Sequence, residues 1–551
     1  MTTTIDLPRR TARSSKAAAV TVALSNPQDP SNRSLRSVGV TLAIAAAVST
    51  GLILRFWTNS SLWLDEAQTL NIARLPVAHI PSALKMDGSP PLYYFLLHFW
   101  TRIFGTSDLA VRSLPGLIGA ISVPVAWKVG MQFGGKVTAS ACSLIMLSSP
   151  FAIWYSTDNR MYSLLALESL FFIWFIQRCR ANPTKFNAAL LVVDTCALVY
   201  THYWSFFLIG VISIALIAEL AFFKRPGTIT SLIAIGIGIA AFIPWLGIFL
   251  FQLHHTGTPW TVPADLSVIN NAITEFAGGN SGYGSTLKII LLVLVILGLF
   301  GKAIDTRRVE LDLARPKALP AKLAAIFLGS LVLAVIVGKF ANSGFQPRYA
   351  SVAFPAFIIT AAIGARTLAC APLRFAVMGL VAILGFIAAS PNINTDRTQA
   401  TNVAAVIKAH SKPADVVAYC PDQLGPDTSR LLPRGLVQTT FPRGTSPNIV
   451  NWINYLKAVK AANPAAFVRK LVSLAGEGHN IWYVWRDGYR GFGNDCSEIA
   501  TGLAQARSNE LRLVYPNGLR YYEPSHLYEF PPNSPQSANG FDSPIPTYSG
   551  P

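Results

Sequence analysis

The chain has 551 residues, of which 52% are hydrophobic and only 13% charged, and its mean hydropathy is +0.41. Soluble globular proteins carry about 25% charged residues, so the composition argues against a soluble enzyme and describes a polytopic membrane protein. The formal charge of +18 does not mark a nucleic-acid partner, because the Lys and Arg sit in short clusters between apolar runs instead of along one face.

In chain order, residues 1–36 are polar and basic, with Arg9, Arg10, Arg13, Lys16, Arg33 and Arg36 against Asp6 and Asp29, and read as a disordered cytoplasmic tail. The apolar run 37–56 starts late for a signal peptide and lacks a small-residue cleavage site, so it reads as a retained span. A long loop over 57–110 follows. It holds the adjacent acids Asp65 and Glu66, an amphipathic segment, Gly88-Ser89-Pro90-Pro91 and an aromatic-rich helix over 91–104. That helix, at about 14 residues, is short for a span and suits an interfacial or re-entrant position.

Further spans of roughly 20 apolar residues are expected near 111–131, 137–156, 160–177, 187–203, 205–223, 228–250, 286–304, 322–340, 350–369 and 374–390. Lys128 with Lys136, Arg178-Arg180-Lys185, Lys224-Arg225, the run from Lys302 to Lys322, and Arg366 with Arg374 then fall on one side with the basic N-terminus. The positive-inside rule makes that side cytoplasmic. The expectation is an α-helical polytopic protein of about eleven spans in the cell membrane, N-terminus inside and C-terminus outside. The transmembrane domain is placed at 37–391.

From about 392 the composition changes. Segments 415–420, 480–485 and 511–515 read as strands, and 448–462, 464–475 and 497–507 as helices. A small extracytoplasmic α/β domain over 392–529 is expected, with a disordered tail over 530–551. Its Cys420 and Cys496 are either a disulfide or two free thiols. The six cysteines show no CxxC or His–Cys spacing, so no structural zinc site is expected.

The loops left facing outward are polar: 57–110, 156–160, 201–204, 252–285 and 345–349. ATP and nucleotide sugars are not available on that face, so a transferase there must draw on a lipid-carried donor. A sugar on a polyprenyl phosphate suits this, the phosphate being both handle and leaving group. Such chemistry needs a carboxylate to take the acceptor hydroxyl's proton and cations or donors on the phosphate oxygens.

Asp65 is the candidate base, with Glu66 beside it to tune it or hold an acceptor hydroxyl. The bland alternative is an acidic helix N-terminus. Asp158 with Arg160 forms a second cluster, or else a local ion pair. Arg348-Tyr349 is a phosphate site or a snorkelling arginine, and His202 belongs to a phosphate site or to an interfacial aromatic belt. Tyr93, Tyr94 and His255 are candidate substrate contacts; His254-His255 is not read as a metal pair. Glu168 and Asp194 fall inside spans and either pair or mark an ion pathway. That last option supports the alternative of a glycolipid transporter or flippase. A third reading is a non-catalytic scaffold whose C-terminal domain binds wall polymer.

Taken together, Leu64-Asp65-Glu66, Asp87-Gly88-Ser89-Pro90-Pro91-Leu92-Tyr93-Tyr94, Phe104-Gly105 with Val111-Arg112, Arg160-Met161-Tyr162, His202-Tyr203 and Pro347-Arg348-Tyr349 resemble the GT-C superfamily of integral-membrane glycosyltransferases. The likeness is to the branch of protein O-mannosyltransferases and lipid A aminoarabinose transferases (glycosyltransferase family 39). The segment 254–260 and the stretch 420–425 look like an actinobacterial subgroup of it. The resemblance covers about 37–391.

It implies a metal- and cofactor-independent, inverting hexosyl or pentosyl transfer from a polyprenyl-phosphate sugar to a cell-envelope acceptor, whether glycolipid, polysaccharide or protein. Asp65 maps onto the base and Asp158 onto the second acid. Ser89 stands where the aminoarabinose transferases have a phosphate-binding lysine, which shifts the phosphate to Arg160 and Arg348, with Tyr349 and His202 beside them.

Overall fold

The computed structural model describes residues 30–223, 225–256, 265–341 and 344–533. Of the tails expected over 1–36 and 530–551, residues 1–29 and 534–551 lie outside these, as do residues 257–260 of the 254–260 segment. The chain divides into two compact units at Val48 and Ser49. The first contains the start of the helix Pro30–Ile53, apolar from Val38 onward. Everything below concerns the second.

The expected architecture, a helical polytopic protein with a C-terminal α/β domain, is what is found. Among the described residues six helices are long and apolar enough to cross a membrane, or seven if the pair Pro226–Ala240 and Ile243–His255, bent by 67°, makes one span. The expected span 111–131 and the 137–148 part of the span 137–156 are joined in one helix, Asp108–Ser148, which breaks at Gly135 (φ 73°, ψ −166°) where only glycine is at ease, and the remainder forms the separate helix Pro150–Ser156. Two others are short: Lys185–Thr201 has 17 residues and carries Asp194, and Phe354–Thr367 has 14. The helix Leu92–Phe104 buries Tyr93, Tyr94 and Leu97 while Phe99, Ile103 and Phe104 stay exposed, as befits a helix lying at an apolar boundary.

Small residues let the helices close up. Gly364 brings its helix so near Gly282–Phe300 that a Cβ there would sit 1.7 Å from the Leu294 carbonyl oxygen. Because the helices alternate in direction, their connections gather at two ends. One end carries Arg180, Arg225 and the hairpin β1 (Gly301–Ala303) with β2 (Val309–Leu311). The other gathers the segments 57–64, 156–161, 202–204 and 345–352.

Above that second end sits a five-stranded sheet of order β5-β4-β6-β9-β7. Its strands are β4 (Val416–Cys420), β5 (Val437–Thr440), β6 (Ile481–Trp485), β7 (Leu511–Val514) and β9 (His526–Phe530). β5, β4 and β6 are parallel, and β9 runs antiparallel to both its neighbours, β6 and β7. The continuous apolar sequence of β4 and β6 is buried throughout, as central parallel strands require. A disulfide joins Cys420, at the end of β4, to Cys496 in the helix Asp495–Ala506. A second parallel pair, β3 (Asp396–Thr398) with β8 (Tyr521–Glu523), ties the chain after the last membrane helix to the end of this domain.

The helix expected over 448–462 begins only at Tyr455, after Asn454 in the left-handed region (φ 49°). Its first residues are taken by other partners. Val450 N donates to Gln68 Oε1 at 2.9 Å, and Trp452 N to the Met86 carbonyl at 3.1 Å.

Candidate active site

The loop over 57–110 closes on the helix Leu64–Ala73, whose opening turn carries Asp65 and Glu66. A helix N-terminus favours anions, and the two carboxylates point to different places. Glu66 is fully buried. It pairs with Arg112, whose Nε donates to Oε1 at 2.7 Å. Arg397 Nη1 lies 3.5 Å from Oε2, and Asn159 N donates to Oε1 at 2.8 Å. Burial pushes the Glu66 carboxyl up, but Arg112 and Arg397 outweigh it and hold it below the usual carboxylate range. The expected role of holding an acceptor hydroxyl is not open to Glu66, because no surface of it is accessible. Its work is to join three segments.

Asp65 is different. Its side chain keeps 20% exposure, and Arg348 Nη1, itself 17% exposed, lies 3.2 Å from Oδ2. The Arg348 guanidinium stands among the rings of Trp63, Tyr162 and Tyr349, at 5.8, 6.0 and 5.9 Å from their centroids, a cation–π surround. Arg160 lies behind. Its Nη1 donates to Thr69 Oγ1 at 2.7 Å and to the Tyr94 hydroxyl at 3.3 Å. The Nε of Arg160 and the Nε of Arg348 are buried and have no partner among the described residues.

Tyr349 and His202 complete this side, their rings 5.2 Å apart. His202 Nδ1 accepts from Trp204 N at 3.1 Å. Burial, then Arg160 and Arg348, push the imidazole down to about 3. His202 is therefore neutral: it can donate one hydrogen bond to a phosphate but brings no charge.

Asp158 is enclosed at 1% exposure. Trp63 Nε1 donates to its Oδ1 at 3.1 Å, and Arg397 Nη1 is 3.5 Å away. Burial and the neighbouring Glu66 push its carboxyl up to about 6, against Arg397, the Trp63 bond and Arg160. It lies behind Trp63 and supports the site from below.

Tyr93 and Tyr94, expected as substrate contacts, are fully buried. Their hydroxyls are committed, Tyr93 to Asn159 Oδ1 at 3.0 Å and Tyr94 to Asp87 Oδ2 at 2.7 Å. They form the floor rather than the lining. His255 stands apart from the carboxylates: its ring stacks on Phe251 at 4.4 Å, and its Nδ1 faces Asn454 Oδ1 at 3.4 Å.

Two residues of the C-terminal region reach the site unforeseen. Arg397 of β3, 1% exposed, lies 4.1 Å over the Trp154 ring. It donates to the Thr157 carbonyl at 3.0 Å and to Thr157 Oγ1 at 2.6 Å. Glu523 of β8 accepts from Leu64 N at 3.1 Å, and its neighbour Tyr522 meets Trp63 edge-on at 5.6 Å. The available signal for Arg397 was an arginine just past the last span, opposing the charge trend. Asp87, which locks Tyr94, opens the motif over 87–94. Among the described residues no group of three His, Cys, Asp or Glu side chains is placed to hold a metal ion.

No family model matches the sequence, and no curated protein sequence matches it. Solved structures do. ArnT from Cupriavidus metallidurans in the apo state matches with a TM-score of 0.57 at 11% identity, over 91% of this chain and 100% of that one. ArnT from the same organism bound to undecaprenyl phosphate matches with a TM-score of 0.52 at 12% identity, over 91% and 100%. At such identity a likeness speaks to fold, and over nearly its whole length this chain has the GT-C-like fold of ArnT.

Proposed function

We propose that this chain is a membrane glycosyltransferase that moves a sugar from a polyprenyl-phosphate donor to a hydroxyl of a cell-envelope acceptor by inverting displacement. The observation that carries the reading is the partly open pair of Asp65 and Arg348 at 3.2 Å, with Arg160 behind it. Asp65 takes the acceptor's proton as the acceptor oxygen attacks the anomeric carbon. The bond from that carbon to the phosphate oxygen breaks, and its electrons leave with the lipid phosphate. Protonation of Asp65 weakens its hold on Arg348 as negative charge appears on the leaving oxygens, so the guanidinium is released when the phosphate needs it. The unused Nε groups of Arg348 and Arg160 and a neutral His202 add donors of the kind a phosphate accepts.

This reading puts the site and the C-terminal domain on the outer face and the N-terminus inside. The basic clusters at the opposite end support that orientation, as does the Cys420–Cys496 disulfide, since disulfides persist in oxidising compartments.

The test is transfer of a radiolabelled sugar from a polyprenyl phosphate in membranes, comparing wild type with Asp65→Asn. Loss of a general base is expected to cost about 10²–10⁴-fold in rate with unchanged protein accumulation. Equal rates would remove Asp65 from the chemistry. A second reading, transport of a glycolipid, is favoured by one observation: Glu168 Oε2 and Asp194 Oδ2 are buried without partners among the described residues. Should no donor support transfer, glycolipid translocation in the Glu168→Gln and Asp194→Asn variants becomes the measurement to make.

A further inference from the structure

At the end of the helices away from the candidate active site lies a cavity of about 440 Å³ that no part of the proposed chemistry uses. Helix Tyr162–Ala181 starts beside Arg160 and ends with Arg180, so at 1.5 Å per residue the cavity is about 30 Å from the site along that axis. Its walls come from four membrane helices and are apolar, with Phe133, Ile176, Leu216 and Leu323 among them. Its charged lining is Arg180, Arg225, Lys322 and Glu219, three cations against one carboxylate. That carboxylate is spent. Arg180 Nη2 donates to it, Thr228 Oγ1 lies 3.4 Å from Oε1, and Arg225 Nη1 stands 3.9 Å away. Arg180 Nε is buried with no partner among the described residues. Arg225 is 66% exposed, and Lys322 is exposed as well.

An apolar slot open at a lipid-facing surface, with surplus positive charge at the headgroup level, is complementary to one kind of molecule. We infer that this cavity binds an anionic glycerophospholipid of the leaflet at that end, with an acyl chain between the four helices and the phosphodiester between Arg225 and Lys322. Basic pockets between membrane helices bind anionic headgroups because each nearby cation adds attraction there. A zwitterionic headgroup brings its own ammonium into the same positive field and is disfavoured. Selectivity therefore rests on headgroup charge, while occupancy by any lipid rests on the apolar walls.

The experiment is native mass spectrometry of the full chain released from detergent, with phosphatidylglycerol and phosphatidylcholine of identical acyl chains in competition. Wild type is expected to retain phosphatidylglycerol on the order of 10-fold or more over phosphatidylcholine. The double variant Arg225→Gln with Lys322→Gln should lose that preference while still binding lipid. Ala215→Phe, which fills the slot from its wall, should reduce retention of both. Equal retention by wild type, or a preference surviving both variants, overturns the site. Displacement of phosphatidylglycerol from it by equimolar undecaprenyl phosphate overturns the assigned occupant. None of these substitutions touches Asp65, Arg160 or Arg348.

Discussion

Asp65 and Glu66 differ by one step of about 100° around a helix, and that step separates the proposed base from a structural group. Glu66 turns inward to Arg112 and Arg397, and Asp65 turns to a partly open guanidinium. Arg397 also serves Asp158, so its loss leaves two buried carboxylates short of a cation. Breaking a buried pair by removing one partner costs about 3–5 kcal/mol. Arg397→Met should therefore lower the thermal unfolding midpoint of the detergent-solubilised protein markedly. Arg397→Lys should not restore it, because a point charge cannot reach Thr157 and both acids in one fork. Asp65→Asn should leave the midpoint near that of wild type. At this scale the acids and Arg348 were legible from their position beside spans, where a charge needs a reason. Which of two neighbouring acids faces outward was not, since it depends on Arg112 and Arg397 arriving from 46 residues and more than 300 residues away.

Among elements, those with one strong period or one apolar run were readable. Strands β4 and β6 and the helix Pro464–Ala475 lie where the pattern puts them. Elements defined by partners were not readable: β3 and β8 are three residues each and exist because they pair with each other, and 448–454 stays irregular because its amides at Val450 and Trp452 are bonded to Gln68 and Met86. Two residues past the end of β4 sits a buried acid, Asp422, bonded by the Tyr455 hydroxyl. Burial pushes its carboxyl up to about 7 from an ordinary 3.8, the Tyr455 bond and Arg443 opposing. The folded domain then holds a proton that the unfolded chain has released, so stability falls as pH rises from about 4 to about 7. Asp422→Asn should flatten this dependence. The difference reaches up to about 4 kcal/mol at pH 8, and little separates the variant from wild type at about pH 4. Hydrogen-exchange protection factors of β4 and β6 at the two pH values measure it.

At the scale of the whole molecule, the C-terminal domain is part of the site's construction. Trp63 and Leu64 pack into that domain's own apolar core. Leu64 N bonds Glu523 at 3.1 Å, Gln68 Oε1 takes Val450 N at 2.9 Å, and Asp108 Oδ1 takes Arg430 Nη2 at 2.7 Å. Arg397 N reaches Ser60 Oγ at 2.7 Å. The segment 57–64 is thus clamped between membrane helices and sheet, and Asp65 begins where the clamp ends. A chain ending at Asn394 keeps the membrane helices but loses every one of these ties. It should still insert, since its apolar helices are intact, while the segment 57–64 becomes open to added protease and sugar transfer drops below detection. Full-length Asp65→Asn separates the two causes, because it should lose transfer with the segment still protected. A truncated chain that kept both protection and transfer would show that the membrane helices alone hold Asp65 against Arg348, and the domain would then have to act on the acceptor instead.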